Sequence, residues 1–329
     1  MCCISVNANA KSSRPVAIVA IFSLPVLWGP TFALIQQALV EITPTMFLVL
    51  RFLVASLIFL ISSKAARKGA RILFMPRGKE ERRFQWDMIA LGAALGGAYL
   101  SQTVGLLTTT TSKSAFLTST AIIWTPIIAM FLGRDRLTLK LTFAVLIIIV
   151  GVFLMTQPFR EGGIVVGDVL TLGCAVACSF YIILTERAMP RALKFASDEH
   201  EASLMVTSSL IIACGILFLI FLPLIETPRL HITTSSVGAL LYTGIFTTCL
   251  TAYLQTRYQP QISATVAAII YMLEPVVVMI IAAVFLSERI GFPELLGGGL
   301  IILGVIIAQL KFEPRWRATR ETALETSDY

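Results

Sequence analysis

Charge and histidine are scarce in this chain. Asp, Glu, Lys and Arg make up 14% of its 329 residues, and the two histidines are His200 and His231. No G-x-x-x-x-G-K-[ST] occurs, which excludes ATP as a direct energy source. No H-E-x-x-H occurs either, and both histidines fall between apolar runs, so an intramembrane protease has no catalytic constellation to rest on. Four of the six cysteines, Cys174, Cys178, Cys214 and Cys249, lie inside apolar runs, so a disulfide framework is not implied. Cys174 and Cys178 share a helix face, but no histidine or further thiol accompanies them; they read as small buried residues, not metal ligands. No metal and no cofactor is expected.

What fills the chain is hydrocarbon. It is 57% hydrophobic, with a mean hydropathy of +0.85, more apolar surface than a soluble domain of this size needs. Ten apolar spans can be drawn, at about 16–39, 43–63, 86–108, 114–133, 138–157, 167–188, 203–223, 235–256, 262–286 and 292–311. Polar tails, 1–15 and 312–329, flank them. The net charge of +7 sits between the spans, which points to membrane topology and not to nucleic acid. With the N-terminus in the cytoplasm, Lys113, Arg160, Arg229 and Arg289 fall outside, Arg51 lies within a span, and every other Lys and Arg falls inside. Both termini are therefore expected in the cytoplasm of a multi-pass protein of the cell membrane. The basic stretch 64–83, which also holds Glu80 and Glu81, is expected to meet anionic lipid.

The chain also repeats itself. Ser114-Ala115 and Pro126 match Ser263-Ala264 and Pro275 at an offset of 149; Asp135-Arg136 matches Glu288-Arg289, and Gly151-Val152 matches Gly304-Val305, at an offset of 153. The difference is four residues, about one helical turn. Five spans per copy is an odd number, so the second copy enters the membrane upside down. The fold class expected is an all-α membrane protein with ten transmembrane helices as two inverted five-helix repeats, 16–157 and 167–311. Inverted repeats are the geometry of alternating access around a midplane site.

Several short marks resemble one known family. They are Leu27-Trp28-Gly29, Pro44 with Arg51-Phe52, Thr111 to Leu117, Thr125-Pro126, Leu273-Glu274-Pro275-Val276, and Leu286-Ser287-Glu288-Arg289. In order and spacing they resemble the EamA-domain exporters of the drug/metabolite transporter superfamily. The resemblance implies a central cavity lined by spans 1–4 and 6–9, with spans 5 and 10 as a scaffold. It also implies export as the direction, and small metabolites, amino acids or amphipathic drugs as substrates. A facilitator or channel, or a transporter-like sensor, is the alternative, and an intramembrane enzyme a more distant one. A coupling proton and a homodimer are both compatible with this reading.

Candidate site residues follow from what lipid penalises. Glu274 stands beside Pro275 near the middle of span 9; a charge there costs about 2.5–3.5 kcal/mol on the insertion scale. It suits a cation or proton, or an ion pair with Arg51. Arg51, about eight residues into span 2, suits an anion or carboxylate ligand, a structural ion pair, or snorkelling. Trp28, Tyr99, Trp124, Tyr181, Tyr242 and Tyr271 are candidates for an aromatic-walled pocket or for packing, and Tyr271 shares the face of Glu274. Pro126 and Pro275 are the expected hinges. Lys113 is placed at the outer mouth, as a lure for anions or an ordinary solvated loop lysine. Gly151, Gly297 and Gly304 suggest close packing of spans 5 and 10.

Overall fold

A computed structural model describes residues 14–133, 138–157, 163–285 and 290–309. The two tails and the acid–arginine pairs Asp135-Arg136 and Glu288-Arg289 lie outside the described residues. Among those described, the chain is helical throughout, with an isolated antiparallel bridge between Ile42 and Leu230.

The helices are α1 (Arg14–Trp28), α2 (Thr31–Ala38), α3 (Pro44–Ser62), α4 (Lys64–Phe74), α5 (Gly78–Gly105), α6 (Thr111–Ser119), α7 (Ala121–Phe131) and α8 (Leu139–Thr156) in the first half. The second half holds α9 (Val166–Ala192), α10 (Glu199–Ile225), α11 (Thr234–Gly244), a π-helical turn (Ile245–Leu250), α12 (Thr251–Tyr258), α13 (Ala264–Tyr271), α14 (Glu274–Phe285) and α15 (Phe292–Gln309). Local chemistry sets many of the starts. Pro44 opens α3, where its missing N–H is no loss. Ser63, Thr138, Asp198 and Ser263 cap the helices that follow them.

Eight helical stretches among the described residues are long and apolar enough to cross a membrane, and Phe292–Ala308 is a shorter apolar helix. The helix α5 falls outside that set: its first turns carry Lys79, Glu80, Glu81, Arg82, Arg83 and Asp87, and its later, uncharged part is diluted by Gly92, Gly96, Gly97, Ser101 and Gln102. Large apolar side chains such as Ile61, Phe131, Leu139 and Leu224 face outward, which is tolerable where hydrocarbon is the solvent. The protein is thus an all-helical, multi-pass membrane protein.

Contacts sort the loops to two ends. At one end, which we call the basic end, Arg71 pairs with Glu81 at 2.7 Å, Lys194 with Glu80 at 2.8 Å, Arg191 with Asp87 and Arg257 with Glu199. At the opposite end the Thr43 N–H donates to Arg229 O (3.1 Å), and the Gln157 amide donates to Glu294 (2.7 Å).

The last helices of the two halves, α8 and α15, pack on each other along their length. A Cβ added to Gly297 would lie 2.4 Å from Gly151 O; one added to Gly304 would lie 3.0 Å from Ala144 O. These are the same contact seen from each repeat, because Gly151 and Ala144 correspond to Gly304 and Gly297 at the offset of 153. The partner number falls as the α8 number rises, so the two helices run antiparallel. Only a residue without a side chain permits so close a backbone approach.

Candidate functional site

One cavity of about 140 Å³ lies where the two halves meet. That is room for several waters or a small metabolite. Its wall includes Trp28, Thr31, Arg51, Tyr99, Gln102, Thr118, Cys174, Cys178, Tyr181, Gln255, Tyr271 and Glu274. Both halves contribute.

Arg51, on α3, is fully buried. Opposite it, the π-helical turn brings Thr247 and Thr248 side by side. Arg51 Nε donates to Thr248 Oγ1 at 2.7 Å, and Nη2 donates to Thr247 Oγ1 at 3.0 Å. Both threonine hydroxyls donate in turn to Thr243 O, at 2.9 and 2.8 Å. The second of these spans five residues, which the wider π turn accommodates. The guanidinium also lies 4.6 Å from the centre of the Tyr99 ring, a cation–π contact. Its Nη1 has no hydrogen-bond partner among the described residues. No ion pair recorded among the described residues involves Arg51 or Glu274, so the two do not neutralise each other.

Glu274 owes its place to a break in its span. The chain tightens as the Met272 and Leu273 N–H groups reach back three residues to Ile269 and Ile270 O. A new helix then starts at Glu274, with Pro275 as its second residue. A carboxylate at a helix N-terminus meets the positive end of the helix dipole, and proline in the first turn sacrifices no bond. Tyr271, the last residue of α13, sets its ring edge-on to Trp28 at 5.0 Å.

The corresponding span of the first repeat breaks elsewhere. Its discontinuity is at Thr120, between α6 and α7, and Pro126 lies inside α7. The expected hinge at Pro126 is therefore displaced by six residues from the observed break. The residue matching Glu274 at the offset of 149 is Thr125, which is buried and donates to Ser179 Oγ at 3.1 Å. The repeat thus replaces a carboxylate with a satisfied hydroxyl.

Toward the basic end the cavity is floored by buried amides. The Tyr181 hydroxyl donates to Gln255 Oε1 (3.3 Å) and the Tyr271 hydroxyl to Gln259 Oε1 (3.1 Å), while Gln259 Nε2 donates to Ile182 O (2.7 Å). Gln255 and Gln259 are 4% and 0% exposed. Sequence reasoning missed both. Glutamines near the end of an apolar span look like solvated residues, and only their tyrosine partners reveal them.

The other sequence-expected residues lie apart from this wall. Trp124 and Tyr242 do not line the cavity; the Tyr242 hydroxyl donates to Leu27 O at 3.1 Å and its ring leans on Phe246. Lys113 is not a solvated loop residue. It is buried, donates to Gly163 O at 2.8 Å and stands 3.8 Å from Asp168 Oδ2. A cation in the first turn of α6 opposes the helix dipole, and Asp168 in the first turn of α9 offsets it. Asp168 also accepts from Thr109 and from the Val165 N–H (3.0 Å). This cluster ties the start of α6 to the start of α9.

The helices and the hollow at the junction of the two halves define an all-helical polytopic membrane protein with a charged internal cavity. The particular family follows from comparison. The EamA-like transporter family matches residues 15–157 and again residues 165–309, and the chain belongs to it. An uncharacterized transporter of Archaeoglobus fulgidus is 27% identical over 87% of this chain and 83% of its own length. The uncharacterized transporters YetK and YwfM of Bacillus subtilis are 24% and 23% identical, over 80% and 92% of this chain and 77% and 98% of theirs. One solved crystal structure shares the fold at a TM-score of 0.70, with 18% identity, covering 90% of this chain and 97% of that one.

Proposed function

We propose that this protein is a secondary transporter that exports small metabolites, amino acids or amphipathic compounds by alternating access, and not an enzyme. The observation that carries this reading is the presence of two ionisable groups in one cavity without an ion pair. A buried guanidinium held by threonine hydroxyls and a carboxylate at a fresh helix start share a wall, and neither has an ion-pair partner among the described residues. Buried charge is costly unless it is met, and discontinuous spans near the midplane are where transporters meet charge. A substrate with an acidic group toward Arg51 and a basic group toward Glu274 satisfies both, with the rings of Trp28, Tyr99 and Tyr271 holding its apolar part. A zwitterionic amino acid is the simplest such solute. Glu274 is also the candidate carrier of a coupling proton.

Ten spans with both termini in the cytoplasm of the cell membrane fit the same reading. The basic end then faces inward, with α4 against anionic lipid headgroups. The tyrosine–glutamine floor is the inner gate in its closed form, and the Lys113–Asp168–Thr109 cluster belongs to the outer side. Antiparallel packing of α8 and α15 supports this arrangement.

Counterflow of labelled amino acids in proteoliposomes tests the proposal. Saturable exchange is expected, reduced in Glu274→Gln and Arg51→Met variants that still insert. Non-saturating conductance would move the protein to the channel class.

A further inference from the structure

We infer that the cavity wall carries a dithiol site for trivalent arsenicals, formed by Cys174 and Cys178 of α9. Both residues line the cavity. Their sulfurs are one helical turn apart in sequence and 3.9 Å apart in space, and both cysteines are free.

The separation is compatible with a small bent bridging atom. Bonds of about 2.3 Å, the usual length for zinc to thiolate, put two sulfurs about 3.8 Å apart when they meet at a tetrahedral angle, and about 4.6 Å apart when the bridging atom is linear. At 3.9 Å the pair suits a bridging atom with a bent S–X–S angle and not a linear two-coordinate ion. Nor does a closed cage for a larger donor set exist here. Among the described residues no group of three His, Cys, Asp or Glu could hold a metal ion. A monosubstituted trivalent arsenic centre needs two sulfurs and a bent angle, which is what this wall offers.

The chemistry balances without an oxidant. An arsenoso compound, R–As=O, condenses with the two S–H groups. Two As–S bonds form, the As=O and both S–H bonds are lost, and the oxygen leaves as water with the two protons. Arsenic stays trivalent. The second As–S bond closes within one molecule, where effective concentration favours it by orders of magnitude over capture by a single thiol. Cys214 and Cys249, both buried, are not among the cavity-lining residues.

The test uses the full-length chain in detergent with Cys2 and Cys3 changed to serine, since that adjacent pair could capture the reagent itself. Phenylarsine oxide is titrated and the intact mass recorded. One adduct per chain is expected, reversed by dimercaptopropanol and not by a monothiol. In that background Cys174→Ser and Cys178→Ser should each weaken capture about a hundredfold or more. Cys178→Ala is a second variant at the more open of the two positions, and melting temperature reports whether each variant is folded. No adduct in the parent, or an adduct that survives in folded variants of both cysteines, overturns the site. Because the readout is mass, it stands or falls separately from transport.

Discussion

The two helices that close the repeats and the two broken spans that line the cavity have diverged differently. In α8 and α15 the duplication remains visible as contact: Gly151 against Gly297 has its image in Gly304 against Ala144. In the broken spans the image has been lost. One breaks at Thr120 and carries Thr125, hydrogen-bonded to Ser179; the other breaks at Met272-Leu273 and carries Glu274, which has no ion-pair partner among the described residues. The difference teaches where symmetry is free to fail. A strut needs only close backbones, which both copies supply. A binding cavity for one solute needs its charges in one place, so a charge kept in both copies would set like charges against each other.

The largest effect is expected at Arg51, whose buried guanidinium lines the cavity. Arg51→Met removes hydrogen bonds from a charged donor, each worth about 1.5–3 kcal/mol, and should lower transport about tenfold to hundredfold in a counterflow assay. Arg51→Lys keeps the charge but loses the fork and should recover only part of the rate. Wild-type counterflow in Arg51→Met would sink the site as drawn.

Next comes Glu274→Gln, expected to cost about tenfold in transport while insertion is unchanged. Its repeat mate provides the control that sharpens the comparison. Thr125→Val should leave transport near normal and remove about 1 kcal/mol of stability. Equal losses of transport in the two variants would mean that the halves contribute alike.

The strut should respond in the opposite sense. Gly297→Leu forces a side chain onto Gly151 O and should destabilise by about 1–3 kcal/mol, read as a lower melting temperature. Transport per folded molecule should hardly change.

Smaller effects are expected at the floor and the basic end. Tyr271→Phe removes one neutral hydrogen bond and Gln259→Leu removes two, each worth about 0.5–1.5 kcal/mol. Either should shift the gate equilibrium about twofold to tenfold, measurable by spin-label distances between α9 and α12. At the basic end, Arg71 and then the Arg77 N–H hold the Glu81 carboxyl below the usual glutamate range, against some opposing desolvation. A lowered folded pKa gives stability that is present above the unfolded value and lost as pH falls through the folded one. Arg71→Ala should therefore flatten the acid-side loss of stability, by less than about 1 kcal/mol.

Much of this architecture could be read before any coordinates. The apolar spans, the offsets of 149 and 153 and the packing glycines are local or periodic signals. Arg51 stood out as a charge in hydrocarbon; the i,i+3 spacing of Tyr271 and Glu274 suggested one helix face, but the helix breaks between them and both reach the cavity from separate helices. Other features were hidden because each depends on a partner far away in the chain. Gln255 and Gln259 mean little without Tyr181 and Tyr271. Thr247 and Thr248 are ordinary until a π turn aims them at Arg51. Lys113 looked solvated because Asp168 is 55 residues on; Trp124 looked like a pocket wall because it stands two residues before Pro126, and Tyr242 suited pocket and packing equally.

The amino-acid order by itself determined a duplicated, membrane-crossing helical chain, because hydropathy and repetition act along the sequence. It also determined that Arg51 and Glu274 need company, since lipid penalises a lone charge wherever the chain places it. Tertiary structure alone decided that the two do not satisfy each other, that the floor is closed by tyrosine and glutamine, and that two thiols share a wall. Those outcomes depend on how helices rotate and break against their neighbours, and packing fixes that only when all of them are present.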